Sequence, residues 1–113
     1  MMMDKYVKLM PEFMSEGVWD REGIHMSLND LPLHFWLKSM IREWIAQYDR
    51  GYSGMEDDTF DMDGFSKQGY ALAVKIKQNL PDWTVMYFDE HKMFGNNTRD
   101  EYVYEITLPP KKE

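Results

Sequence analysis

Residues 33–48 read Leu33-His34-Phe35-Trp36-Leu37-Lys38-Ser39-Met40-Ile41-Arg42-Glu43-Trp44-Ile45-Ala46-Gln47-Tyr48. Leu33, Leu37, Met40, Ile41, Trp44, Ile45 and Tyr48 recur at steps of three and four, which sets seven apolar side chains on one face of a helix. His34, Lys38, Arg42, Glu43 and Gln47 fall on the other. Asn29-Asp30 supplies candidate caps, Pro32 suits a first helical turn, and Asp49-Arg50-Gly51 supplies a stop, so the spacing predicts a helix over 33–49. A stripe this long that carries a tryptophan must be covered, and the rest of the chain has to cover it.

Downstream, Phe65, Gly69, Leu72, Ala73, Ile76 and Leu80 mark the buried stripe of a second helix over 62–79, flanked by Tyr70, Val74 and Lys77. Asp61 and Asp63 are natural caps for its positive end. Gly69 in mid-helix carries a penalty of about 1 kcal/mol against alanine, which a close contact with a neighbouring element would explain. Trp83 to Glu90 is the strongest strand, with Trp83, Val85, Tyr87 and Asp89 on one face and Thr84, Met86, Phe88 and Glu90 on the other. After a loop over 91–98, residues 100–108 form a second strand with Tyr102, Tyr104, Ile106 and Leu108 toward the core. These two strands pair as an antiparallel hairpin.

The N-terminal third is a small irregular β-region: an extended segment over 5–14 that Pro11 confines to an edge or breaks, a short Val18-Trp19 piece, and an alternating Ile24 to Leu28 segment. Met14, Met26, Met40 and Met86 sit inside apolar patterns and read as core. The order is β-rich segment, helix, helix, strand, strand. The expected fold is therefore α+β, a single domain over 1–113 with two helices packed on one face of a small antiparallel sheet.

The chain has 113 residues and no cysteine, which excludes a disulfide framework and a thiolate metal site. No apolar run approaches a membrane span, and the first residues lack a signal-peptide pattern, so the expected location is the cytoplasm. Twenty acids against thirteen bases give a net charge of −7. Such a surface repels phosphates and favours a basic protein partner over nucleic acid.

Catalytic constellations are absent. His25, His34 and His91 share no metal-ligand spacing, and a calcium loop aligned on Gly64 places Tyr70 where the bidentate glutamate is required. We expect no cofactor, no metal and no catalytic residue. A small hydrolase built on His91 with Asp89 or Glu90 is the enzyme alternative, and a regulatory or structural interaction domain is the other. The densest feature is acidic: Glu56, Asp57, Asp58, Asp61 and Asp63 are five acids in eight positions with no base among them. They are the candidate partner-binding patch, extended by Asp89 and Glu90, with Trp36 and Tyr52 as candidate exposed anchors.

Leu31-Pro32-Leu33 leading to Trp44 and Tyr48-Asp49, then Phe65, Gly69-Tyr70-Ala71-Leu72-Ala73 and Leu80-Pro81-Asp82-Trp83 through Asp89-Glu90, are similar to small immunity proteins of bacterial polymorphic-toxin loci, including those of contact-dependent growth inhibition. The resemblance spans residues 31–90. It implies a non-enzymatic inhibitor that binds a cognate toxin domain, often a basic nuclease, and blocks its substrate site, with acids standing in for substrate phosphates.

Overall fold

The computed structural model describes residues 4–51, 60–95 and 97–108. Strand β1 is Tyr6–Leu9 and β2 is Val18–Trp19; helix α1 is Phe35–Gly51 and α2 is Met62–Asn79; strand β3 is Thr84–Phe88. Two single-turn helices, α3 (Glu90–Met93) and α4 (Arg99–Tyr102), precede strand β4 (Val103–Glu105). The four strands form one sheet in the order β2-β1-β3-β4.

The fold is α+β, as expected, but the sheet is mixed. β3 and β4 pair antiparallel, with Tyr87 opposite Tyr104, and β1 and β2 pair antiparallel as well. The central pair, β1 with β3, is parallel, with Val7 opposite Val85 and Leu9 opposite Tyr87. Alternation along these strands sends Val7, Leu9, Val85 and Tyr87 into the core, none more than 1% exposed. Against that face lie the stripes of α1 (Leu37, Ile41, Trp44, Ile45, Tyr48) and α2 (Phe65, Leu72, Ala73, Ile76). On the outer face of the sheet, Tyr6, Lys8, Met86 and Phe88 are half-buried.

α2 begins and ends where its pattern predicts. Asp61 is its N-cap, its Oδ1 accepting the Gly64 N–H at 3.0 Å. Gly69 has its reason: a Cβ there would overlap the Tyr87 hydroxyl and the Trp44 indole. Both groups are pinned, Trp44 Nε1 donating to the Phe65 carbonyl at 2.9 Å and Tyr87 Oη to the Ser66 carbonyl at 2.7 Å.

α1 starts later than its pattern suggests, with the His34 carbonyl accepting the Leu37 and Lys38 N–H groups. Leu31, before Pro32, is held extended (φ −98°, ψ 139°), as sterics before proline require. Asn29 and Asp30 therefore belong to a separate single-turn 3-10 helix, Leu28–Asp30, capped by Ser27. Met40 is 41% exposed, on the flank of the stripe, and Met14 is 92% exposed at a positive φ of 64°; neither is core. Ile24 to Leu28 makes a single bridge, Trp19 with His25, in place of a strand.

The last expected strand is shorter than its pattern. Residues 99–102 are the helix α4, because the Glu101 carboxylate accepts the Thr98 N–H and hydroxyl, both at 3.0 Å, and closes a capping box. Three residues are left for β4. Ile106 is buried, whereas Leu108 is 41% exposed and Tyr102 and Tyr104 are half-buried. The loop expected over 91–98 likewise begins with a helical turn, which Asp89 caps.

Candidate partner-binding site

Tyr52, Glu56, Asp57 and Asp58 lie outside the described residues. Asp61 and Asp63 are exposed at the first turn of α2. Asp63 Oδ2 takes an ion pair from Lys67 at 3.0 Å, one helical turn on, and its Oδ1 lies 3.6 Å from His91 Nδ1. The Asp63 carboxylate raises the pKa of the Lys67 ammonium.

Asp89 and Glu90 are both buried, 7% exposed each, and diverge. Asp89 Oδ1 accepts the Lys92 N–H at 3.2 Å and its side chain lines a cleft beside α2. Glu90 turns toward α1, where Tyr48 Oη donates to its Oε2 at 2.7 Å. Burial pushes the Glu90 carboxyl above the ordinary glutamate value, the Tyr48 hydrogen bond opposing and nearby Glu12 adding to the shift. Neither acid is bonded to His91 among the described residues, so the hydrolase pairing is not formed. His25 Nε2 accepts the Glu16 N–H and His34 stacks on Trp36. Among the described residues no group of three His, Asp or Glu side chains could hold a metal ion, and no helix is long and apolar enough to cross a membrane.

Asp63 and Asp89 meet across a cleft of about 830 Å³ that the chain pattern does not mark. Ser66, Lys67 and Tyr70 of α2 line one wall, His91 and Lys92 of α3 close one end, and Asp100, Glu101, Tyr104 and Glu105 of α4 and β4 form the other wall. Asp100 and Glu105 are exposed and have no ion-pair partner among the described residues. The residues that sequence reasoning missed come from four elements, so no spacing links them. The Thr98-x-x-Glu101 box was the one local signal.

Trp36 is 45% exposed beside Phe35 at 81%, and Met40 sits one turn along from it. This aromatic patch is at the far end of the helical layer from Asp61, since the His34 N–H donates to Asn79 Oδ1 at the last turn of α2. Eighteen residues of helix put the two ends roughly 27 Å apart. The structure thus brings Asp63 and Asp89 to one cleft, leaves Asp61 as the cap of the adjoining helix end, and sets Glu90 and Trp36 elsewhere.

The family model described as Serratia CdiI immunity protein-like matches residues 5–90. The match takes in both strands of the N-terminal region, both long helices and β3. No curated protein matches the chain.

Proposed function

The chain belongs to the Serratia CdiI immunity protein-like family, whose members are toxin-neutralising immunity proteins, and from that premise we propose that it acts by binding a basic, nuclease-type toxin domain through its acidic end and covering the substrate site. The family match carries this reading. The charge distribution supports its finer part. Net charge is −7, and the acids of residues 56–63 lead directly into the first turn of α2. Asp61 is held there by its own capping bond, so its charge is presented from a rigid helix end. Asp89 contributes from the floor of the adjoining cleft, and Glu90 fixes the neighbouring turn to α1 from beneath. Trp36 and Tyr52 are the proposed aromatic anchors, Trp36 engaging the outer edge of the partner.

Complementary charge accelerates encounter and sets orientation, and the effect fades as salt screens it. The test is the variant Asp57→Asn/Asp58→Asn/Asp61→Asn. Association with the cognate toxin should slow and its salt dependence flatten. Stability should fall by no more than about 1 kcal/mol, since asparagine retains a capping acceptor. Cells co-expressing toxin and variant should lose protection. Full protection with unchanged salt dependence would move the interface to Trp36 and Tyr52.

A further inference from the structure

We propose that the cleft between α2 and β4 is an arginine-binding pocket, and that the toxin anchors by inserting one arginine side chain into it; the toxin as the source of that arginine rests on the immunity reading above. Two buried groups at the cleft ask for a ligand. Asp89 is a carboxylate 7% exposed, and no Lys, Arg or His lies within 4.0 Å ion-pairing distance of it among the described residues. Its hydrogen bond to the Lys92 N–H engages Oδ1. Burying a carboxylate without a counter-charge is unfavourable, and an incoming cation removes that penalty. Ser66 is 5% exposed and its Oγ has no hydrogen-bond partner among the described residues.

The surroundings select a guanidinium. The cations at the rim are already engaged: Lys67 with Asp63 at 3.0 Å, and Lys92 over the Tyr104 ring at 5.5 Å. Asp100 and Glu105 leave the mouth net negative. Tyr70 and Tyr104, with ring centroids 6.4 Å apart, offer aromatic planes on which a guanidinium stacks. Arginine brings five donors in a planar fork, enough to serve a carboxylate and a hydroxyl together, where a lysine ammonium offers a compact, strongly hydrated charge.

The experiment titrates the isotope-labelled protein with Nα-acetyl-arginine amide and, separately, Nα-acetyl-lysine amide, following backbone amides by NMR. Arginine amide should shift Ser66, Lys92 and Glu105, with lysine amide several-fold weaker. Asp89→Asn keeps an acceptor for the α3 cap and should weaken arginine binding about tenfold. Asp100→Asn/Glu105→Gln, at exposed positions, should weaken it about threefold. The proposal is overturned if arginine amide moves no cleft amide, if lysine binds equally, or if the rim double variant binds as wild type. A cognate toxin that binds Asp89→Asn at full affinity refutes the pocket and leaves the immunity reading standing. Arginine binding in a protein that protects against no toxin does the reverse.

Discussion

Gly69→Ala is the sharpest test of the core, because two large effects of opposite sign meet at one atom. In an exposed helix interior the change stabilises by about 1 kcal/mol. Here the new methyl enters space held by the Tyr87 hydroxyl and the Trp44 indole. Neither can retreat freely. Tyr87 is 1% exposed and donates to the Ser66 carbonyl at 2.7 Å; Trp44 is fully buried and donates to the Phe65 carbonyl at 2.9 Å. Overpacking a well-filled core costs about 1–3 kcal/mol, and breaking one of these bonds inside it adds about 1–3 kcal/mol. After the helix gain is subtracted, the net loss is about 1–5 kcal/mol, or at least ~4–8 °C in melting temperature for a domain of this size. Urea unfolding followed by circular dichroism reads it, with an unchanged slope confirming that the same surface is exposed. Adding Tyr87→Phe removes the overlapping oxygen, so the double variant should lose less than the sum of the two single ones. A Gly69→Ala protein as stable as wild type would mean that the α2–β3 contact is looser than described.

Trp44→Ala should cost about 3–5 kcal/mol, a large part of a typical domain's margin of about 5–15 kcal/mol, and near-native thermal stability would place that side chain at the surface. Glu90 is a carboxyl raised by burial; its contribution to stability is complete below the ordinary glutamate value and is lost as pH rises through its folded-state pKa. Glu90→Gln, which still accepts from Tyr48, should therefore flatten the stability profile on that limb and stabilise the protein at neutral pH; an unchanged pH profile by thermal melts would contradict this. Trp36→Ala should move stability by no more than about 0.5 kcal/mol while weakening toxin capture in a surface-binding assay. Unaltered capture would remove Trp36 from the interface.

The helices were legible because a 3.6-residue period is written locally. α2 could be bounded to the residue, since Asp61 and Pro81 punctuate the sequence at its ends. The alternation of β3 was legible for the same reason, but nothing local marks which of its two faces is the inner one. The parallel β1–β3 pair was not, because its partners are separated by both long helices and no periodicity records a distant neighbour. Residues 100–102 have a strand-like sequence running into Val103-Tyr104, but the capping box that begins at Thr98 outweighs it and they fold as the end of α4. Met40 fits the stripe by spacing, yet it lies to the side of the contact line, where it joins Trp36. Of the acidic site, Asp61 and Asp63 could be placed from their capping pattern. The cleft beside them could not, since Ser66, Asp89, Tyr104 and Glu105 converge through tertiary packing alone.

The strand order has a consequence for how the chain is assembled. Residues before 52 supply β2, β1 and α1, and residues after 59 supply α2, β3 and β4. The sheet is therefore divided down its middle, at the parallel seam between β1 and β3, and so is the helical layer. Each half holds one long helix and two strands with an uncovered apolar face, so neither closes a core alone. The two halves made as separate polypeptides should reconstitute one domain on mixing, its affinity set by the seam and by the α1–α2 contact. Protection in a cell would then require both pieces at once, an AND gate whose failure to appear on co-expression would show that loop continuity, and not the seam, holds the halves together.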